Sequence, residues 1–131
     1  MAETRWDTHL PASALDHQRD SIRSGHCNLL PESQIGPMAR IQIARDAAMA
    51  DTAQELLRPG QTVLLIAGGG HVLRGVGIPT HLPSTVRQAV VLAVAGTAEA
   101  SRQAQADQTW ATPALPPQDI CAGMRAKAMD G

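Results

Sequence analysis

The stretch TVLLIAGGGHVLRGVGIPTHLP, residues 62–83, decides how this chain is interpreted. Its first six residues form a continuous apolar run of strand length, which predicts a strand covered on both faces. Three glycines and His71 follow directly. Glycines after a strand allow a sharp turn and the close approach of a ligand to the backbone, so Gly69 and Gly70 are candidate ligand-binding positions. His71 is either a site residue or a structural polar residue that ends the strand.

The glycine run does not match the common nucleotide-binding patterns. The G-x-G-x-x-G fingerprint fails because position 73 is Leu, and no G-K-S/T follows as in a phosphate-binding loop. In open α/β sheets, ligand sites gather at the carboxyl ends of the strands. We therefore expect His71 at that edge of a sheet.

A second apolar run, QAVVLAVAG, predicts another strand at about 88–95. Because a helix precedes the first strand, the pattern favours an α/β domain with parallel strands and flanking helices, part of a three-layer domain. Residues 97–108 are polar and small, which indicates a loop or an exposed helix. The rest of the chain is proline-rich and then weakly helical.

The strongest helix is predicted at 37–58, with Pro37 in its first turn and Pro59-Gly60 after its end. A shorter helix is predicted at 13–24. At 100° per residue, the long helix turns three residues to solvent: Arg40, Asp51 and Glu55. Near the opposite side lie Met38, Ile41, Met49 and Leu56, with Gln42 and Arg45 among them and Asp46 at the flank. A buried arginine and aspartate indicate either an internal Arg–Asp or Arg–backbone bond that locks the helix to its neighbours, or a pocket.

The whole chain of 131 residues has the length of one domain. Eleven Lys and Arg against twelve Asp and Glu exclude a strongly basic nucleic-acid surface. Phe and Tyr are absent, so the core is built from small and aliphatic side chains and is thin. Cys27 and Cys121 are compatible with one disulfide or with two free thiols, and their spacing is not that of a zinc site.

Two histidines stand next to turn glycines, His26 after Gly25 and His71 after Gly70. Together with Arg45 and Asp46 they are candidates for one cluster, because neutral imidazoles bind metals and serve as axial ligands of haem. The other three histidines are predicted to lie at the surface: His9, His17 and His81.

Four motifs follow one another along the chain: G-H-C at 25–27, M-x-x-x-Q-x-x-R-D-x-x-M-A at 38–50, A-G-x-G-H-V at 67–72 and G-I-P-x-x-L at 77–82. In this order they resemble the ChaN-like haem-binding uptake family of the Tiki superfamily. Trp110-x-Thr-Pro and Cys121 also fit. The resemblance covers residues 10–125 of a single domain spanning 1–131, but only the C-terminal half of the family's domain, because the family's N-terminal G-E-x-H-type motif is absent. The chain is thus expected to be a truncated domain.

The resemblance implies a binding protein for haem or another iron-containing small molecule, related to haem or iron uptake, rather than an enzyme. It implies His26 or His71 as the donor to haem iron or to a divalent metal ion, Met38 and Met49 along an apolar slot, and Arg45 near a propionate. It also suggests a periplasmic or membrane-anchored lipoprotein. No nucleic acid is expected as a partner. The expected partners are a second copy of the chain or the missing N-terminal half.

Two alternatives remain open at this point. The wider superfamily includes metal-dependent hydrolases of the Tiki/TraB type, and in such an enzyme His71 would bind the metal or act as a base beside a glutamate. The other alternative is an inactive fragment whose motifs reflect ancestry only.

Overall fold

The computed structural model describes residues 5–129, so the ends of the expected domain, 1–4 and 130–131, lie outside the described residues. In chain order the elements are α1 (Arg5–Thr8), α2 (Ala12–Gly25), α3 (Glu32–Leu56), a 3₁₀ turn (Ile78–His81), β1 (Val91–Ala95), α4 (Ala100–Gln103), β2 (Gln108–Thr112) and α5 (Ala122–Met129). Backbone contacts divide the chain into two compact units. Unit 1 comprises the described residues up to Gln42 and from Pro116 onward, and unit 2 comprises Ile43–Leu115.

The helix predicted at 13–24 is confirmed as α2, with one more residue at each end. It ends where the chain takes two left-handed residues, Cys27 and Asn28, at φ 60° and 57°. The Asn28 N–H donates to the Arg23 carbonyl at 2.8 Å, which satisfies a helix-end acceptor. The chain therefore turns sharply just before α3.

Helix α3 begins five residues earlier and ends two residues earlier than predicted. Pro31 precedes it, and the Gln34 N–H donates to the Pro31 carbonyl at 2.9 Å. Pro37 thus lies in the second turn, where its missing N–H removes a single intrahelical bond. The helix ends where the Arg58 guanidinium donates to the carbonyls of Glu55 and Leu57, at 2.8 and 2.7 Å.

The predicted buried stripe of α3 is wrong. Ile41 and Leu56 are 56% and 58% exposed, and Arg45 is exposed as well. The buried residues are instead Ile35, Ala39, Ile43, Asp46, Ala47 and Ala50. Their spacing of three or four residues is that of one helix face, and three of them are alanines, whose small size lets neighbouring segments approach closely. The large side chains on which the prediction relied do not mark the buried face.

Unit 1 has a small core in which Ile22 of α2 packs with Ile35 and Ala39 of α3, and Leu30 and Met38 pack against it. Of the two alternatives for the cysteines, the structure has the disulfide: Cys27 and Cys121 are bonded, with their Cα atoms 5.7 Å apart. Helix α5, which follows Cys121, has no buried residue among those described. The disulfide is therefore the main attachment of this C-terminal segment.

Unit 2 contains the sheet, in which β1 and β2 are parallel and pair in register from Val91↔Gln108 to Ala95↔Thr112. The prediction of an α/β fold with parallel strands is confirmed, and β1 lies within the strand predicted at 88–95. Strand β2 comes from residues for which no strand was predicted, the last residue of the 97–108 segment and the start of the proline-rich tail. Ile43, Leu73 and Leu92 are almost fully buried and form the largest apolar side chains of this unit's interior.

The strand predicted at 62–67 is wrong. These residues lie outside any helix or strand, and none of their backbone groups hydrogen-bonds to another backbone group in the part of the chain that the structure describes. Leu64 and Ile66 are 82% and 86% exposed. An apolar run favours burial, but a strand also requires a hydrogen-bonded neighbour, and none of residues 5–129 pairs with this run. Among residues 5–129, no helix is both long and apolar enough to cross a membrane.

Candidate functional site

His71 lies in a closed backbone loop of unit 2. Its N–H donates to the Gly68 carbonyl at 2.9 Å, and its own carbonyl accepts from the Ile78 N–H at 2.7 Å. The Gly77 N–H donates to the Leu73 carbonyl at 2.9 Å. These bonds fold residues 71–78 back on themselves and fix the backbone from which the imidazole projects.

Gly77 is the residue that permits this loop. A Cβ atom at position 77 would lie 2.1 Å from the His71 carbonyl oxygen and 3.2 Å from that of Gly70. No side chain fits there, because both obstacles are backbone atoms of the loop itself. By contrast, a Cβ at Gly70 would meet no atom within 4 Å.

The far side of the loop is bonded to the segment before β2. The Arg74 N–H donates to the Gln105 carbonyl at 3.2 Å, and the Gly75 N–H donates to the Gln105 side chain at 3.1 Å. The Arg74 guanidinium pairs with Asp107, which also accepts from the Val90 N–H at 2.6 Å. The Val90 N–H first, and then Arg74, hold the pKa of Asp107 below its usual value. The loop is therefore anchored to the start of both strands.

The side chain of His71 is paired with Asp46 of α3. The His71 Nδ1 lies 2.5 Å from the Asp46 Oδ1. Asp46 is fully buried, whereas the His71 side chain is 30% exposed. Burial raises the pKa of Asp46, and the hydrogen bond and charge of His71 act in the opposite direction. The Asp46 Oδ2 is buried without a hydrogen-bond partner among the described residues.

This pair leaves one imidazole nitrogen available to a ligand. When Asp46 is ionised it accepts from the Nδ1–H, so the neutral ring carries its lone pair on Nε2. A carboxylate behind the histidine is the arrangement that orients metal-ligating imidazoles and raises their basicity. Within residues 5–129, no group of three or more His, Cys, Asp or Glu side chains is placed to hold a metal ion.

A cleft of about 450 Å³ opens in unit 2 at the carboxyl end of β1. It is lined by Gly69, Ala93, Val94, Ala95, Thr97, Ala98, Glu99 and Arg102. A Cβ at Gly69 would lie 2.7 Å from the Arg102 Nη2, so this glycine leaves room for the guanidinium. The expectation that His71 lies at the carboxyl end of a strand at 62–67 is wrong, because that strand does not form. Gly69 does line the cleft beside β1.

The other predicted site residues are distributed over both units. His26 follows the end of α2 in unit 1, and its Nδ1 lies 2.8 Å from the Ile22 carbonyl oxygen. Met38 is half-buried against the unit 1 core. In unit 2, Arg45 is exposed, Met49 is half-buried and Gly70 is exposed. The alternative of an internal Arg–Asp bond is not what forms at these positions, because Arg45 is exposed and Asp46 is paired with His71.

The surface positions predicted for His9 and His17 are confirmed, whereas His81 is half-buried with a buried Nε2. Sequence reasoning did not predict that Asp46 pairs with His71 or that Arg102 lines the cleft. The spacing of Asp46 from Ile35, Ala39 and Ile43 is a signal that places it on the buried face. No sequence signal distinguishes Arg102 from other polar residues of the 97–108 segment.

Comparison with known proteins gives one match. Residues 3–82, more than half of the chain, match the family model described as "Haem-binding uptake, Tiki superfamily, ChaN". No curated protein and no solved structure matches the chain. The matched range contains Asp46, His71 and Gly77 and ends before β1, so Arg102 and most of the cleft lie outside it.

Proposed function

This chain belongs to the haem-binding uptake family of the Tiki superfamily, the family of ChaN, and from that premise we propose that it binds haem through His71. The observation that carries the proposal is the bond from His71 to the buried carboxylate of Asp46. It presents Nε2 as the donor to iron. Haem iron takes a single protein donor on one face, whereas catalytic zinc takes three, so the Asp–His pair meets the requirement of haem.

The residues around the pair suit haem in two ways. The donor is an imidazole backed by a carboxylate, which is a ligand type of haem iron. Leu64 and Ile66 of the same unit expose apolar side chains, and haem binding requires apolar contact surface. When bound, haem would supply an iron centre whose potential depends on its axial donor.

The remaining predicted residues take secondary roles in this proposal. Arg45 and Met49 belong to the same unit as His71, so we assign them contacts with a propionate and with the macrocycle. His26 stays a prediction as a second donor. Its Nδ1 already faces the Ile22 carbonyl, which leaves its Nε2 for a ligand. Met38 stays a prediction as a slot residue.

We further propose that the protein acts in haem or iron uptake in an oxidising compartment outside the cytoplasm. The support is the Cys27–Cys121 disulfide, because disulfides form and persist in such compartments and are rare in the cytosol. Chains retained in the cytosol should carry more free thiols than chains exported to an oxidising compartment. Counting the thiols of the two purified preparations measures this difference. Equal disulfide formation in both compartments would remove this support.

The proposal predicts a saturable Soret shift when the purified chain is titrated with hemin. His71→Ala should weaken binding at least tenfold, because the axial donor is lost. His17→Ala is the matched control, since His17 is exposed on α2, and it should leave the affinity unchanged. A wild-type spectrum that does not change at a clear excess of hemin would refute the proposal.

Asp46→Asn tests whether the carboxylate that is bonded to His71 contributes to haem binding. Loss of the carboxylate behind His71 should weaken hemin affinity by roughly 10–100-fold. It should also raise the potential of the bound iron, because a less basic imidazole stabilises Fe(III) less. Spectroelectrochemical titration of the loaded variant measures this shift. An unchanged potential together with weaker binding would show that Asp46 has a structural role only.

A further inference from the structure

We infer that the cleft at the carboxyl end of β1 is a carboxylate-binding subsite in which Arg102 pairs with a propionate of the bound haem. The inference rests on the proposed function and extends it to residues beyond the matched family range. It names the group that recognises the charged edge of the ligand, whereas His71 recognises the iron.

The first support for this subsite is the ion pairing of the half-buried arginines. Five arginines among the described residues are half-buried: Arg19, Arg23, Arg40, Arg74 and Arg102. The first four each form an ion pair with an aspartate or glutamate. Arg102 forms none within residues 5–129. A partly desolvated guanidinium without an anion is a site for a carboxylate, which it binds through two parallel hydrogen bonds.

The backbone of Arg102 is hydrogen-bonded, and its guanidinium lies beside the glycine turn. Its backbone N–H donates to the Glu99 carbonyl at 3.0 Å, which fixes the short helix α4. Its Nη2 lies over Gly69, at 2.7 Å from the point that a Cβ would occupy, and Leu92 Cδ1 lies 3.3 Å from the same point. The guanidinium therefore lies close to the backbone of Gly69, where a larger residue would displace it.

The size and lining of the cleft suit one edge of a small ligand. Its volume of about 450 Å³ falls within the range of small-molecule pockets, and three of its lining residues are alanines that leave room near the backbone. The cleft contains one opposing charge, Glu99, which is exposed and forms no ion pair with Arg102. Glu99 should weaken carboxylate binding, because like charges repel.

Chain continuity connects the cleft to the axial donor. Gly69 lines the cleft, and His71 follows it two residues later. Since consecutive Cα atoms are 3.8 Å apart, the two Cα atoms lie within about 7.6 Å of each other. The two positions are therefore close enough for a ligand as large as haem to span them.

The test compares hemin with hemin dimethyl ester, in which both propionates are blocked. The wild-type chain should bind the ester roughly 10–100-fold more weakly than hemin, the effect of losing a charge-assisted bidentate pair. Arg102→Gln should weaken hemin binding by a similar factor and leave the affinity for the ester unchanged. Glu99→Gln should strengthen hemin binding about twofold or more. Arg87→Gln is the control, because Arg87 is exposed and belongs to the same unit.

Gly69→Ala provides a second variant that displaces the guanidinium and keeps its charge. It should reproduce part of the loss for hemin and none for the ester. If Arg102→Gln and Arg87→Gln bind hemin as tightly as wild type while the His71-dependent Soret shift persists, the subsite is refuted and haem binding stands. If wild type gives no His71-dependent shift, the proposed function fails and the subsite fails with it.

Discussion

Gly77→Ala is expected to disrupt the His71 loop and to abolish high-affinity hemin binding. The added Cβ would lie 2.1 Å from the His71 carbonyl oxygen, so the bond from the Ile78 N–H to that carbonyl cannot form in the same geometry. Neither obstacle is a flexible side chain, and the loop must move as a whole. We expect a loss of about 4 kcal/mol in the opening free energy of residues 71–78, a large value for one substitution, because the added Cβ overlaps fixed backbone atoms. Hydrogen exchange of these amides measures it.

Gly70→Ala is the matched control for this prediction. It adds the same methyl group to the same loop at a position where no atom lies within 4 Å. Its amide protection should stay close to wild type. If both variants lose protection equally, the loop is sensitive to any alanine and the specific role of Gly77 is wrong. If Gly77→Ala keeps wild-type protection and affinity, the loop geometry itself is refuted.

Sequence reasoning can place Gly77 in a motif, but it cannot predict why the position requires glycine. The resemblance placed G-I-P in the motif set and His71 in the site, but the steric cause depends on two carbonyls, His71 and Gly70, that meet only after the loop has closed. The same limit applies to Asp46. Its partner is 25 residues away along the chain, and the adjacent Arg45 was the nearer candidate in sequence.

The strands show a related limit. Hydrophobicity correctly indicated β1, because Leu92 is buried. It failed for 62–67, which is more apolar but pairs with no strand in the described part of the chain, and for β2, whose five residues are all exposed. Two segments pair as strands when their backbone edges meet in space. The composition of a short sequence window does not indicate which edges will meet. The parallel α/β class was predicted correctly. One of the two strands on which that prediction relied, 62–67, does not form, and β1 pairs with β2 instead.

Helix α3 was predicted for most of its length, because its composition favours a helix throughout. Its start was misplaced, since Pro31 and Pro37 both satisfy the preference for proline near a helix start. Its buried face was misplaced because alanines determine it. Ala39, Ala47 and Ala50 contribute little to a hydrophobicity pattern, yet they are buried because their size permits close packing.

Removal of the disulfide is expected to have an effect as large as that of Gly77→Ala. Cys27 and Cys121 are 94 residues apart, and a cross-link that closes a loop of that length stabilises a folded chain by about 4–5 kcal/mol in the chain-entropy model. The double variant Cys27→Ser/Cys121→Ser should lose this amount in the free energy of global unfolding. The exchange rate of the slowest amides measures the loss.

The local effect should be greatest at α5, because none of its described residues is buried and nothing else of comparable strength attaches it. Its amides should lose protection in the double variant, and trypsin should cleave after Arg125 and Lys127 far faster than in wild type. Wild type treated with a reductant should behave like the variant. Unit 2 supplies an internal control, since Asp46 and His71 both lie in it and hemin affinity should persist. Full protection of α5 without the disulfide would mean that contacts of exposed side chains hold the segment, contrary to the burial pattern from which this prediction follows.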